Sequence, residues 1–168
     1  MGLLLLDLDG TIRRSKSGAK FINDPHDQEL IPGAAEAMTA YAEAGFTLVG
    51  VTNQGGVAHG FKTELSMIAE QEKTLELSPK LAYILACPDM EGRDCWCIYR
   101  HESHHHEGHD FRKPGIGMVH LAEEISRAEA TLMVGDMESD RDCAKAANIG
   151  FAWAEEWIEL PIDLLLPF

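Results

Sequence analysis

A short apolar run, Leu3 to Leu6, is followed at once by two aspartates, Asp7 and Asp9, and this junction constrains the fold more than any other segment. Such a run is typical of a buried strand, and ligands of open α/β sheets gather at the carboxyl ends of strands. Side chains two residues apart in an extended segment point the same way, so both carboxylates are expected to face one site. A divalent cation would relieve their mutual repulsion. For this pair alone, an Asx-type turn is the simpler interpretation.

Strand and helix signals alternate along the rest of the chain. The predicted strands are 2–7, 46–52, 81–86, 130–134 and 151–154. The predicted helices begin after Pro32-Gly33 and run to about residue 44, then cover 63–77, 116–126 and 140–147. This alternation predicts an α/β fold with a parallel sheet and helices on both faces, built as a single domain over residues 1–168. The apolar tail, residues 164–168, is expected to pack back on that domain.

Composition excludes some classes of function. Of 168 residues, 45% are hydrophobic and 25% charged, as in ordinary globular proteins. The net charge of −14 opposes non-specific binding to nucleic acid or anionic membrane. No apolar run reaches the roughly 20 residues of a membrane helix, and no signal peptide pattern is present, so a cytoplasmic location is expected. The sequence does not indicate an oligomeric state.

A local basic patch interrupts this acidic background, directly after the two aspartates. Its members are Arg13, Arg14, Lys16 and Lys20. Taken alone, such a patch is interpreted as an exposed charged loop.

Three further motifs follow predicted strands or precede a predicted helix. They are Thr52-Asn53, Arg112-Lys113 before a helix, and Gly135-Asp136 with Asp140. Each alone is an ordinary turn or cap. Together with the first acid pair they combine a cation site, a lysine, a hydroxyl and backbone amides, a set that suits a phosphoryl group.

The four motifs, in this order, resemble those of the haloacid dehalogenase-like (HAD) superfamily over nearly the whole chain. They are DLDGT at 7–11, TN at 52–53, KP at 113–114 and GDMESD at 135–140. Gln54-Gly55-Gly56 and the Arg112-Lys113-Pro114 form of the third motif are similar to the subgroup that dephosphorylates heptose bisphosphate and histidinol phosphate, and to polynucleotide 3′-phosphatases. The resemblance implies a Rossmann-like core with no large cap domain and Mg²⁺-dependent hydrolysis of phosphomonoesters.

The resemblance also implies roles for the acidic residues. Asp7 would be the nucleophile that takes the phosphoryl group as an aspartyl-phosphate. Asp9 would protonate the leaving oxygen and then activate the water that cleaves the intermediate. Mg²⁺ would bridge Asp7, the main-chain carbonyl of Asp9 and Asp136.

The remaining motif residues would bind and orient the phosphate ester. Thr52 and Lys113 would hold the phosphoryl oxygens as charge develops on them. Asn53 and Arg112 are the candidates for substrate binding, and Asp140 would orient Lys113 or the metal ligands.

Residues 88–111 differ from the rest, and we predict an inserted loop rich in cysteine and histidine that forms one wall of the substrate pocket. Metabolite phosphatases of the family carry a zinc loop, Cys-x-His followed by Cys-x-Cys. This chain has Cys87, then Asp89 in place of the histidine, then Cys95 and Cys97. A Zn²⁺ bound by the three thiolates and one histidine from 101–109 is therefore one hypothesis. A flexible polar loop with buried cysteines and a histidine-rich tip is the other.

Three functions compete at this level. The leading hypothesis is a phosphatase for a small phosphorylated metabolite, a sugar phosphate such as heptose bisphosphate. The alternative is a nucleic-acid 3′-phosphatase, because residues 14–21 resemble the segment after the first motif in that family. A non-catalytic HAD-like binding domain ranks last, since every catalytic residue type is present.

Overall fold

The structure, a computed structural model, describes residues 2–165 and has a seven-stranded mixed sheet at its centre. The strands of this sheet are β1 (Gly2–Leu6), β4 (Thr47–Asn53), β5 (Leu81–Cys87), β6 (Asp94–Ile98), β7 (Ser103–Glu107), β8 (Ala130–Gly135) and β9 (Gly150–Trp153). Their order across the sheet is β7-β6-β5-β4-β1-β8-β9. The strands β5, β4, β1, β8 and β9 run parallel to one another. At the edge beyond β5, β6 pairs antiparallel with β5 and β7 pairs antiparallel with β6. A separate ribbon pairs β2 (Arg13–Arg14) with β3 (Glu29–Leu30).

Helices cover both faces of the sheet. They are α1 (Ala34–Glu43), α2 (Gly55–Ala58), α3 (Glu64–Leu77), α4 (Gly117–Ser126), α5 (Glu138–Ala147), α6 (Ala154–Glu159) and α7 (Ile162–Leu165). The leucines of β1 alternate between two buried cores, because successive side chains of a strand point to opposite faces. Leu4 and Leu6 pack in the core under α1, α3 and α6. Leu3 and Leu5 pack in the core under α4 and α5. The predicted α/β fold with helices on both faces is confirmed.

One predicted element was wrong. Residues 88–111 are not a loop, since β6 and β7 form an antiparallel hairpin that extends the sheet beyond β5. We call β6 and β7 the hairpin. In β6 the buried Cys95 and Cys97 alternate with the half-buried Asp94 and Trp96. This period of two is a strand signal, but cysteine and histidine in place of the usual apolar residues concealed it.

The bounds of the other predicted strands and helices differ from the observed ones by one or two residues at most. The short helix α2 begins inside the predicted loop at 53–56. The last helix packs Ile162 and Leu165 against the core, while Leu164 is exposed. The rest of the predicted packing tail, residues 166–168, lies outside the described residues. No helix within residues 2–165 is long and apolar enough to cross a membrane.

Candidate active site

The predicted motifs meet at the carboxyl edge of the parallel strands. Asp7 follows β1 directly, and its backbone N–H donates to the Val134 carbonyl of β8 at 3.0 Å. Thr52 and Asn53 end β4, the neighbour of β1 on its other side. Because β1 lies between β4 and β8, the carboxylate of Asp7 stands in the middle of the site.

Lys113 is buried and reaches this carboxylate from the segment before α4. Its Nζ donates to Asp7 Oδ1 at 2.8 Å, to Asp140 Oδ1 at 2.7 Å and to the Val51 carbonyl at 2.9 Å. Burial alone would lower the pKa of Lys113, but the carboxylates of Asp7 and Asp140 raise it above its usual value. The ammonium group is therefore a fixed positive charge at the inner end of the site.

Asn53 anchors the main chain that carries this lysine. Its Nδ2 donates to the Lys113 carbonyl at 3.0 Å, and the Lys113 backbone N–H donates to Asn53 Oδ1 at 2.9 Å. The peptide between Lys113 and Pro114 is cis. The amide of Asn53 thus holds the third motif, although the residue also lines the pocket described below.

Three carboxylates form a compact acidic group at the inner end of the site. Oxygens of Asp7, Asp136 and Asp140 all lie within 4.8 Å of one another. Gly10 allows this approach: it adopts a φ of 82°, and a Cβ there would collide with the Asp136 carboxylate. Burial raises the pKa of Asp7 to about 6; Lys113 offsets part of this effect, and the facing Asp136 adds to it. A cluster of carboxylate oxygens suits Mg²⁺, which prefers hard oxygen ligands and would favour the ionised form of Asp7.

Asp9, two residues from Asp7, lies in a different environment. About half of its side-chain surface is exposed, at 51%. Its two carboxylate oxygens accept hydrogen bonds from Arg13, at 3.1 Å from Nε and 3.2 Å from Nη2. Burial by its surroundings would raise the pKa of Asp9, but the Arg13 guanidinium, with Lys62 and Lys113, holds it below its usual value. The first motif therefore supplies one deeply buried carboxylate and one that is accessible from the pocket.

These residues open onto a pocket of about 470 Å³. The sequence motifs line its inner end with Asp7, Asp9, Thr52, Asn53, Lys113 and Asp140, and Arg112 also lines the pocket. Residues 20–23 and 54–56, with His59, Phe61 and Lys62, line its walls. The predicted substrate wall was misplaced, because among residues 2–165 the hairpin contributes nothing to this lining.

Aromatic and cationic side chains surround the mouth of the pocket. Phe21 and Phe61 are 62% and 67% exposed, and the Nζ of Lys20 lies 5.3 Å from the centre of the Phe21 ring. Nη1 of Arg112 is buried, and no described residue accepts a hydrogen bond from it. The entrance thus offers flat apolar faces together with the ammonium group of Lys20, which suits an anionic group on the part of a substrate that does not react.

Known proteins resemble this chain in sequence and in fold. The family model for polynucleotide kinase 3 phosphatase matches residues 3–157. The chain belongs to this family of HAD-like phosphatases. A D-glycero-β-D-manno-heptose-1,7-bisphosphate 7-phosphatase from Escherichia coli K12 is 34% identical over 157 residues, covering 88% of the chain and 75% of the relative. The protein of the same name from Vibrio cholerae is 31% identical over 153 residues, covering 88% and 77%.

Two solved structures extend the comparison to the fold. A protein from Mesorhizobium loti named as a HAD-like phosphatase superimposes with a TM-score of 0.71 at 29% identity, covering 90% of the chain and 70% of that structure. D,D-heptose 1,7-bisphosphate phosphatase from B. bronchiseptica, solved with magnesium and phosphate, has a TM-score of 0.66 at 25% identity, covering 91% and 79%. The chain is therefore a phosphatase with the HAD-like fold, as the four motifs predicted.

The cysteines of this phosphatase share one face of the sheet. Cys87 of β5 is followed by the turn into the hairpin, and Cys95 and Cys97 of β6 lie with it in the core under α4 and α5. All three thiols are buried, and burial raises the pKa of Cys87 to about 12. Within residues 2–165 these sulfurs form no group of three metal ligands within 4.8 Å, so the predicted zinc site finds no support.

The histidines of the hairpin are divided between its two faces. His104 and His106 pair across the strands with Cys97 and Cys95, whereas His105 pairs with Trp96. The Nε2 of His105 lies 2.9 Å from Asp94 Oδ1, and these two residues gather with Glu107 into an exposed cluster. Strand alternation thus places His105 on the face opposite the thiols, whereas His104 and His106 lie on the same face as Cys97 and Cys95.

Sequence reasoning missed a buried ion pair, which joins Arg13 to Glu70. Arg13 was assigned to the exposed basic patch, but its side chain is fully buried, while Arg14, Lys16 and Lys20 are exposed as expected. A signal existed in α3, where Glu70 falls among the residues that helical spacing places on the core side. A charged residue at such a position indicates a buried partner of opposite charge.

Proposed function

We propose that the phosphatase is a Mg²⁺-dependent phosphomonoesterase that works through an aspartyl-phosphate on Asp7. The observation that carries this proposal is the buried contact between Lys113 and Asp7 at the inner end of an open pocket. The lysine and the neighbouring carboxylates orient one oxygen of Asp7 while leaving the residue accessible to a phosphate ester. An ordered, partly desolvated carboxylate is what in-line attack on phosphorus requires.

The reaction divides into two transfers. In the first, a carboxylate oxygen of Asp7 forms a bond to phosphorus as the ester oxygen leaves, and Asp9 gives that oxygen a proton. In the second, Asp9 takes a proton from water, which attacks phosphorus and releases phosphate and the Asp7 carboxylate. The ammonium of Lys113 and the hydroxyl of Thr52 stabilise the negative charge on the phosphoryl oxygens in both steps.

The acidic group fits the metal that this chemistry needs. Asp7, the main-chain carbonyl of Asp9 and Asp136 would hold Mg²⁺, while Asp140 holds Lys113 in place. Bound Mg²⁺ would supply positive charge that neutralises the phosphate and the facing carboxylates. The solved B. bronchiseptica relative, which contains magnesium and phosphate, supports this assignment.

The substrate we propose is a sugar bisphosphate. The relatives from E. coli and V. cholerae are named for heptose 1,7-bisphosphate. The pocket volume lies within the range for small-molecule sites. Arg112 and Lys20, which both line the pocket, are the cations that we assign to the second phosphate.

A nucleic-acid 3′-phosphatase is the second candidate, and one observation favours it. Lys20 and Phe21, from the segment that resembles polynucleotide 3′-phosphatases, line the pocket, and a base can stack on the exposed Phe21 ring. The net charge of −14 argues against it, because a phosphodiester backbone approaches an acidic protein unfavourably.

A panel of phosphate esters tests the proposal. Heptose 1,7-bisphosphate, fructose 1,6-bisphosphate, glucose 6-phosphate and a 3′-phosphorylated oligonucleotide are each incubated with Mg²⁺ and the protein, and released phosphate is measured. The proposal expects the heptose ester to have the highest kcat/KM, with the Asp7→Asn variant as the inactive control. Fast hydrolysis of the oligonucleotide alone, with activity that falls steeply as salt is added, would establish the second candidate.

A single domain over residues 1–168 and a cytoplasmic location stay predictions from the sequence. Limited proteolysis addresses the first, since a single domain is expected to resist cleavage within residues 2–165. Fractionation of cells that express the native gene addresses the second.

A further inference from the structure

Arg13 occupies a buried position behind the pocket wall and does not line the pocket. Its guanidinium makes five hydrogen bonds, which matches the five N–H groups it has to satisfy. Two of them go to Asp9, as described above. Nη2 also donates to Glu70 at 2.8 Å, and Nη1 donates to Gln71 at 2.7 Å and to Thr74 at 2.6 Å. Three side chains on the core side of α3 therefore hold this one guanidinium.

Glu70 connects this network to the opposite wall of the pocket. Its second carboxylate oxygen accepts a hydrogen bond from Lys62 Nζ at 2.6 Å. Lys62 in turn donates to Gln54 at 3.2 Å, and Gln54 donates to the Thr52 hydroxyl at 2.9 Å. A continuous chain of hydrogen bonds thus runs from Asp9 through α3 to Thr52, along the back of the pocket.

A buried ionic network is costly unless its geometry is complete, so its presence needs a reason. An apolar residue at position 13 could fill the same space against Met67 and Leu75, which lie on the same helix face. What an apolar residue cannot do is hold Asp9. Among the described residues, Arg13 is the only side chain that donates to the Asp9 carboxylate, which is otherwise half exposed and free to rotate.

We propose that Arg13 is a positioning residue for proton transfer: it fixes the Asp9 carboxylate at the pocket wall, and Glu70 fixes Arg13. The inference rests on the proposed function, because it takes Asp9 as the group that protonates the leaving oxygen. Arg13 itself touches neither the substrate nor Asp7. Its contribution lies in the rotamer of Asp9, since a displacement of about 1 Å in a catalytic group can slow a reaction about 100-fold.

The dependence of kcat/KM on the leaving group distinguishes the proposed role of Arg13 from a purely structural one. A structural role would affect all phosphate esters equally. p-Nitrophenolate departs without a proton, whereas an alkyl oxygen needs one. We compare kcat/KM, which reports the first transfer only, for p-nitrophenyl phosphate and for the alkyl phosphate that the wild type hydrolyses fastest in the panel above. In Arg13→Met, kcat/KM is expected to fall about 100-fold for the alkyl ester and less than about threefold for p-nitrophenyl phosphate.

A double-mutant comparison shows whether Arg13 acts through Asp9. Asp9→Asn alone should produce the same selective loss on the alkyl ester, and adding Arg13→Met to it should cost less than about threefold more. The matched control is Arg14→Met, the adjacent exposed arginine, which pairs loosely with Glu29 at 3.7 Å and should change neither ester. Arg13→Lys keeps the charge but loses the two-pronged contact, and it should show a smaller loss with the same selectivity.

Equal losses on both esters, or full additivity with Asp9→Asn, would overturn the positioning role. If Arg13→Met does not fold, Arg13→Lys and Glu70→Gln test the positioning role instead. The measurement is again the loss of kcat/KM on the alkyl ester relative to the loss on p-nitrophenyl phosphate. Different results would contradict the proposed function itself: either the wild type would hydrolyse no phosphomonoester, or Asp7→Asn would keep its activity. Equal losses on both esters in Arg13→Met, beside an active wild type and an inactive Asp7→Asn, refute this inference alone.

Discussion

The pocket and the hairpin both concentrate side chains that bind metals, but the fold treats the two sets differently. At the pocket, side chains from β1, β4 and the start of α5 converge because the carboxyl ends of parallel strands share one edge. In the hairpin, antiparallel pairing places Cys95 and Cys97 in an apolar core, while His105 and Asp94 face the opposite side. His104 and His106 lie opposite Cys97 and Cys95, yet within residues 2–165 the thiols form no group of three metal ligands.

The difference shows which sequence motifs predict that their residues lie together in the folded protein. A motif at a strand end is placed by the strand that precedes it, so its position follows from the order of elements. A motif inside a strand is divided by the alternation of side chains, so its members meet only if their spacing is even. Asp7 and Asp9 belong to the first kind, and the Cys/His segment belongs to the second.

The largest expected effect lies in the pocket. Asp7→Asn keeps the shape of the side chain but removes the attacking charge, so turnover should fall at least about 10⁴-fold. Circular dichroism and thermal melting should show that the fold persists. Retained activity in this variant would mean that the convergence at the strand ends is not a catalytic site.

Gly10→Ala addresses the close approach of Asp136 to the first motif. A Cβ at this position collides with the Asp136 carboxylate and strains a φ of 82°, so the acidic group cannot keep its geometry. The Mg²⁺ concentration for half-maximal activity should rise about 10- to 100-fold. Gly18→Ala serves as the control, because Gly18 has the same φ and open space around it. An unchanged magnesium requirement in Gly10→Ala would show that Asp136 does not hold the ion.

In the hairpin, substitution should affect stability and leave catalysis intact. Cys95→Ser puts a hydroxyl in an apolar core with no exposure, at a cost of about 1–3 kcal/mol in the free energy of unfolding. Urea denaturation measures this loss, and kcat should stay within about twofold of wild type, because the hairpin does not line the pocket. A large loss of kcat in a folded Cys95→Ser variant would couple the two regions that the structure separates.

The smallest expected effect concerns zinc. The thiols of the hairpin are held by packing, so elemental analysis of protein purified without added metal is expected to show no stoichiometric zinc. A chelator that removes Mg²⁺ should abolish activity without changing the melting of the hairpin. About one tightly bound zinc per chain would instead support the site predicted from the sequence, and would make the hairpin a second metal centre.

The sequence by itself determined the five parallel strands of the sheet and the inner end of the pocket. Leu3 to Leu6 place a central strand, and the motifs after successive strands bring Asp7, Thr52 and Asp136 to one edge. These predictions depend on local patterns and on a general rule of α/β topology, so they needed no knowledge of specific contacts.

Only the tertiary structure decided the fate of Arg13 and of the hairpin. Arg13 is buried because Glu70, Gln71 and Thr74, some 60 positions along the chain, provide its acceptors. The cysteines are apolar core residues because β6 pairs with β5 in one register, and a shift by one residue would expose them. Both outcomes arise from pairings between distant segments. The chemistry of a side chain limits which groups it can bind. The groups that it contacts in the folded protein depend on how the whole chain packs.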